Sequence, residues 1–383
     1  MKVWDVIVVG AGPVGSYCAA ELARSGFEVL LLEEHEQVGE PVHCTGIIGV
    51  EAYRRFPLPA DCIQNRFRSA RFFSPRGIHF DVESEREQAV AVDRAAFDRA
   101  LARDAQRAGV ELLLNATGHS LQPREDRVWL DISNSEGPSQ VVGKMCVLAT
   151  GVAARPANHS GLGEMCRFVY AARADVKLAN LKTVEVHFGR KLAPGGFAWA
   201  VPLGDSRARV GLLSTRPAEP YLDFFLDSLE RQGRLREIEA MVRCRPVPCS
   251  PRRPSFSQRV LAVGDAAGQV KTTTGGGVFY GLLGAQAASQ AVTQAFSRGE
   301  FRAGALSSYE REWMGRIGFE LSTGLLFRRI GCALSDWQID EIFRAIKRTG
   351  LNRKLAPYVS FDWHAGATML ALRQGRSTCP FRA

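Results

Sequence analysis

The segment VWDVIVVGAGPVGSYCAAELARSGFEVLLLEE, residues 3 to 34, constrains the fold more than any other part of this chain. VIVV is a short β-branched run of the kind buried on both faces of a parallel sheet. From Pro13 to Arg24 the pattern turns helical, with Gly26 as its stop, and FEVLLLEE reads as a second strand. Strand, helix and strand in that order form a parallel pair joined by a crossover. Gly10, Gly12 and Gly15 stand at the first turn in the spacing GxGxxG. Gly10 permits the tight turn, Gly12 lets backbone approach a pyrophosphate, and Gly15 allows close packing of the helix. Pro13 and Val14 open that helix, whose free amides face phosphate oxygens. Glu33 closes the second strand at the distance where an acid accepts the hydroxyls of an adenosine ribose. The spacing alone is weak evidence, but set inside this unit it predicts a dinucleotide-binding turn.

NAD and FAD both use such a unit, and residues 260 to 285, VLAVGDAAGQVKTTTGGGVFYGLLGA, choose between them. The first part is a buried strand ending in Gly264 and Asp265, and the second is a glycine turn that enters a long apolar helix. An acid at that strand end can hydrogen-bond a ribitol chain, which NAD lacks. The amides near Gly276, Gly277 and Val278 can meet the electron-rich pyrimidine side of an isoalloxazine. FAD is therefore the expected cofactor.

Between these two segments, Asp93 caps an expected helix from Arg94 to about Gly109. VELLL and VVGKMCVLATG read as further strands. LKTVEVHFGRK, GGFAWAVPL and RARVGLLS alternate in the manner of an antiparallel sheet. After about residue 276 the chain turns helical. The expected architecture is α/β: a Rossmann-like FAD-binding domain with an inserted antiparallel β-sheet substrate domain and a C-terminal helical region. Its expected parts are residues 1–164, with a small excursion around 50–90, then the β-rich insertion 165–250, the second FAD-binding part 251–300, and the helical region 301–383. Arg94 reads equally as a neutraliser of pyrophosphate and as a solvated arginine, with Asp98 in reach one helical turn on.

With 383 residues, 46% of them apolar, the chain can bury a substantial core. Its formal charge of +9 suits an anionic partner, yet the arginines are spread along most of the sequence and no nucleic-acid-binding signature appears. An anionic membrane face is the better use of that excess. LLFRRIGCAL, residues 325 to 334, is a candidate for such contact, although core packing of an amphipathic helix explains it more simply. The start carries no signal-peptide pattern and no run is long enough to span a bilayer, so a cytoplasmic location, with a peripheral membrane contact, is expected. Nine cysteines without a CxxC point to reduced thiols. His43 lies beside Cys44, but no second ligand stands at metal spacing, and no metal is expected.

EPVHCTGIIG, DRAAFD, PGGFAWAVP and GDAAGQVKTTTGGG together resemble the geranylgeranyl reductase family of FAD-dependent oxidoreductases, within the fold of the aromatic hydroxylases. The resemblance runs from the N-terminus to about residue 285. It implies that Cys44, Thr45 and Ile47 contact flavin, joining Val14, Glu33, Arg94, Asp265, Gly277 and Val278. It also implies that PGGFAWAVP lines a substrate cavity. There Phe197 replaces a usual tyrosine and Val201 a phenylalanine, while Trp199 and Pro202 remain. Cys44, Phe197 and Trp199 are the catalytic candidates, with Cys44 either donating a proton or shaping the cavity. Read from the residues alone, Phe197 and Trp199 would simply pack one sheet face, and Cys44 would be an inert thiol. Cys-Thr-Gly stands where many relatives carry Cys-Gly-Glu, which suggests a separate branch. The activity implied is saturation of carbon–carbon double bonds in an isoprenoid chain on a lipid, diphosphate or quinone. Electrons would come from NADPH or a ferredoxin-like protein, and the chain would be a monomer or weak oligomer. A flavin monooxygenase or halogenase acting on a hydrophobic or aromatic molecule is the alternative.

Overall fold

The computed structural model describes residues 2–153, 155–157, 160–165 and 167–366. The β-branched start forms the strand Val3–Val9, central in an eight-stranded sheet. Val29–Leu32 and Gly137–Leu148 run parallel to it on either side, flanked in turn by Glu111–Leu113 and Val260–Ala262. Val9 pairs with Leu32 and Leu148, Leu32 with Leu113, and Leu148 with Ala262. The carboxyl ends of all these strands are thus level, and the turns that follow them gather along one edge. That edge is where open α/β sheets bind ligands.

One face of the sheet is covered by helices Pro13–Arg24, Arg94–Arg107 and Val278–Arg298, whose Leu22, Phe97 and Leu282 join a core that extends to Trp313. The other face carries Ile7, Val9, Leu30 and Leu32, covered by Leu121, Leu130 and Ile132. Those last residues come from two antiparallel strands, Thr117–Pro123 and Val128–Asn134, rather than from a second helical layer.

The alternating segments form a seven-stranded sheet. In spatial order its strands are Leu235–Pro248, Phe168–Leu178, Arg207–Ser214, Phe197–Gly204, Val184–His187, Ser69–Phe73 and His79–Glu83. All pairs are antiparallel except Val184–His187 with Ser69–Phe73, which brings an N-terminal hairpin into this sheet. Helix Glu219–Arg231 buries Leu222, Phe225, Leu226 and Leu229 against it. A small sheet of Ile47–Gly49, Ala89–Val92 and Ile63–Phe67 carries the cysteine loop.

The expected C-terminal helices are present as Ala303–Ala333, Asp336–Thr349 and Leu351–Leu355. Beyond them the chain returns to the body, where Lys271 Nζ lies 3.0 Å from Asp362 Oδ1 and 3.0 Å from the Phe361 carbonyl. The tail GRSTCPFRA lies outside the described residues.

Candidate active site

A continuous cavity of about 1310 Å³ opens along the level strand ends, between the eight-stranded and seven-stranded sheets. Gly10, Gly12, Pro13, Val14, Gly15, Glu33, Cys44, Thr45, Ile47, Arg94, Phe197, Trp199, Gly264, Asp265, Gly276, Gly277 and Val278 all line it. Residues more than 260 positions apart therefore meet in one place.

The three N-terminal glycines have different reasons to be glycine. A Cβ on Gly15 would fall 1.9 Å from the Gly10 carbonyl, and one on Gly10, at φ +104°, would fall 2.5 Å from the Ala149 carbonyl. A Cβ on Gly12 would meet nothing within 4 Å, because that face is open to the cavity. Two glycines thus serve packing, and the third leaves open space on the cavity side of the turn. No side chain caps helix Pro13–Arg24, and none caps Val278–Arg298. Both helix starts line the same cavity with amides available to an anion or an electron-rich carbonyl.

Glu33 is buried at the strand end, where its Oε2 accepts from the Ala11 amide at 2.9 Å. Its Oε1 lies 2.6 Å from His35 Nδ1. Asp265 faces the cavity beneath Gly277, whose missing Cβ would stand 2.5 Å from Asp265 Oδ1. Burial pushes the Asp265 carboxyl up to about 6, against the pull of the Arg94 charge. Asp93 caps its helix as expected, accepting from the Ala96 amide at 3.0 Å. Arg94 then forms a two-pronged pair with Asp98, at 3.1 and 2.9 Å, with both partners buried. Burial alone would lower the Arg94 pKa, but Asp98 and the neighbouring Cys44 hold it above its usual value.

The cysteine loop is pinned by residues the sequence reading did not single out. Arg173 donates to the Val42 carbonyl at 3.0 Å, and Arg209 donates to the carbonyls of Thr45 and Val92, each at 2.8 Å. Both guanidinium groups come from the seven-stranded sheet and share Asp175. Their signal was the pair of inward-alternating arginines in ARADV and RARV, which looks like ordinary surface charge until the sheet is folded. The Cys44 side chain faces the cavity, accepting from the Gly46 amide at 3.3 Å. His43 also lines the cavity; its walls, together with Arg245, His35 and Arg173, push the imidazole pKa down to about 4.

Phe197 and Trp199 line the apolar end, their ring centroids 5.8 Å apart, and Phe188 continues the aromatic wall 6.2 Å from Phe197. Val201, two residues on, is packed instead with Phe67, Ala89 and Ala91. Trp199 Nε1 and Thr274 Oγ1 are buried without a hydrogen-bond partner among the described residues, and both residues line the cavity. Phe361 and His364 of the returning C-terminal segment also contribute to its wall, and nothing in their local sequence announced it. An open glycine cradle, two uncapped helix starts, an acid at each of two strand ends and orphaned donors fit a flavin dinucleotide.

Residues 4–217 match the family described as pyridine nucleotide-disulphide oxidoreductase. The chain is 31% identical to digeranylgeranylglycerophospholipid reductase of Methanocaldococcus jannaschii, over 90% of each chain. It is 32% identical to digeranylgeranylglycerophospholipid reductase 2 of Methanothermobacter thermautotrophicus, over 91% of this chain and 93% of that one. Among solved structures, a geranylgeranyl bacteriochlorophyll reductase-like protein of Thermoplasma acidophilum superposes with a TM-score of 0.86 at 22% identity, covering 99% of this chain and 100% of the other. A flavin-dependent brominase shares the fold at a TM-score of 0.71 and 16% identity, over 99% of this chain and 100% of the brominase.

Proposed function

The chain belongs to the digeranylgeranylglycerophospholipid reductase family of FAD-dependent oxidoreductases, and from that premise we propose that it saturates carbon–carbon double bonds in an isoprenoid chain carried by a lipid, a diphosphate or a quinone. The observation that carries the reading is the continuity of one cavity from the glycine turns to the aromatic wall of Phe188, Phe197 and Trp199. Bound FAD, once reduced, supplies the hydride.

In this reading Gly10, Gly12, Pro13, Val14 and Gly15 hold the pyrophosphate, with Glu33 on the adenosine ribose. Gly264 and Asp265 hold the ribityl chain, and Gly276, Gly277 and Val278 the pyrimidine end. Arg94, fixed by Asp98, supports the loop of Cys44, Thr45 and Ile47 along the ring. Phe197 and Trp199 orient the prenyl chain and exclude water, which protects cationic character at a tertiary alkene carbon. A proton must reach the second alkene carbon, and the cavity-facing Cys44 thiol is the candidate donor. Electrons come from NADPH or from a ferredoxin-like protein.

Anaerobically reduced protein incubated with geranylgeranyl lipids should yield products heavier by two hydrogens per saturated bond, read by mass spectrometry. Cys44→Ser should bind FAD normally and lose most of that activity; full activity would leave Cys44 a shaping role only. No mass gain on any prenyl lipid would overturn the reading. An aromatic hydroxylation or halogenation coupled to oxygen use would replace it.

A further inference from the structure

A second patch of the cavity wall has a chemistry that the reading above leaves unused. In the seven-stranded sheet Arg245 pairs across the strands with Ala171, and Arg173 follows two residues along, past a register shift in that pairing. Arg173, Arg245 and His43 all line the cavity. Arg173 is 4% exposed; it gives one nitrogen to Asp175 and one to the Val42 carbonyl, while its Nε is buried with no partner among the described residues. Asp175 is also engaged by Arg209 at 3.2 Å, so one carboxylate answers two guanidinium groups. Arg245 is exposed and forms no ion pair among the described residues. Arg245 and Arg173 both bear on His43 with positive charge. Surplus positive charge on residues that line a cavity complements an oxyanion, and guanidinium forks match phosphate oxygens best.

We propose that Arg173, Arg245 and His43 form an anion site that takes a phosphate or diphosphate group additional to the pyrophosphate of FAD. The site stands on a different sheet from the GxGxxG turn, which already provides for the cofactor's own phosphates. Two molecules could bring such a group into this cavity: a pyridine-nucleotide electron donor, or a prenyl substrate with a phosphate-bearing head. In either case the site deepens the proposed function, and it gives His43 and Arg245 a shared task.

The test uses FAD-loaded protein titrated calorimetrically with inorganic pyrophosphate. Arg245→Ala should weaken binding by at least about tenfold, as expected for loss of a charge-assisted contact. Arg245→Lys should recover part of the loss, and Arg311→Ala, an exposed arginine elsewhere, should change nothing. Two further arms identify the source. If Arg245→Ala slows flavin reduction by NADPH but spares lipid reduction driven by dithionite, the phosphate belongs to the electron donor. If it weakens geranylgeranyl diphosphate binding but not geranylgeraniol binding, the phosphate belongs to the substrate head. Equal pyrophosphate affinity in wild type and Arg245→Ala would overturn the site, as would binding only to FAD-stripped protein. Failure of lipid saturation is read separately by product mass and leaves the pyrophosphate measurement intact.

Discussion

Asp265 illustrates at the scale of one residue how a site tuned for a ligand weakens the empty protein. Its carboxyl titrates near 6 in the fold because burial disfavours the charge more than Arg94 favours it. The unfolded chain, with a carboxyl near the usual value, ionises first. Stability is therefore unaffected by this group below about pH 4 and falls as pH rises through about 6, where the folded form must carry a buried charge. Asp265→Asn should accordingly stabilise FAD-free protein at pH 7.5 and do little at pH 4. The ceiling is about 3 kcal/mol, since a tenfold change in acidity is worth about 1.4 kcal/mol. Urea denaturation at the two pH values measures it, and FAD titration should show the same variant binding cofactor more weakly. Equal stability of the two proteins at pH 7.5 would refute the argument. With the ribityl-holding role proposed for it, Asp265 would improve the complex at the expense of the apoprotein, which is the pattern expected of functional positions.

Among the elements, the returning segment 359–366 depends on one buried ion pair. Lys271 and Asp362 are 4% and 2% exposed, and Asp362 packs so tightly on Gly49 that a Cβ there would fall 1.8 Å from its Oδ2. Tyr280 adds a hydrogen bond to the Asp362 carbonyl, and Glu320 accepts from the amides of His364 and Ala365. Removing one charge strands the other, so Asp362→Asn should destabilise by about 3 to 5 kcal/mol and open the segment to protease. Adding Lys271→Met to it should restore much of the loss in a denaturant titration; no restoration would show that the pair itself is not the cause. None of this was legible in the sequence, because Lys271 and Asp362 are ninety-one positions apart. Helix Pro13–Arg24 was legible to its ends, since a proline start and a glycine stop are local signals. Helix Glu219–Arg231 interrupts the expected β-rich region; Leu222, Phe225, Leu226 and Leu229 carry helical spacing, but the alternating segments on either side mask it. The hairpin at 69–83 could not be assigned to the second sheet, since its parallel partner Val184–His187 lies over a hundred residues away. The expected residues that line the cavity were legible because glycines and strand-end acids mark themselves; Arg173 and Arg209 were not, because their meaning comes from the strands they stand on.

For the molecule as a whole, the remaining issue is how a long apolar substrate reaches a cavity with its aromatic wall near the C-terminal helices. Phe188 lies 5.9 Å from Phe343, which joins that wall to the inner side of helix Asp336–Thr349. Outward, the same helix exposes Trp337 at 60% and Ile342 at 43%, and the helix before it exposes Phe319, Leu326 and Ile330. Trp337, Arg344 and Arg348 share one helical face by their spacing of seven and four. Arg328 does not belong to this surface, for it donates inward to the carbonyls of Thr272 and Gly195 at 2.8 and 2.9 Å, whereas Arg329 is exposed. No helix among the described residues is long and apolar enough to cross a membrane. Exposed aromatics among cations, on a chain of net charge +9, instead suit the surface of an anionic bilayer, the peripheral contact expected from the sequence. Each cation near such a surface is worth about 1 kcal/mol, so reversing Arg329, Lys347 and Arg348 to glutamate together should weaken binding to phosphatidylserine vesicles by at least about a hundredfold. Flotation should show that loss, while activity on detergent-dispersed prenyl lipid stays near wild type, because none of the three residues lines the cavity. Unchanged flotation would place the excess charge elsewhere, and parallel loss of detergent-phase activity would mean that the helices support the cavity rather than deliver substrate to it.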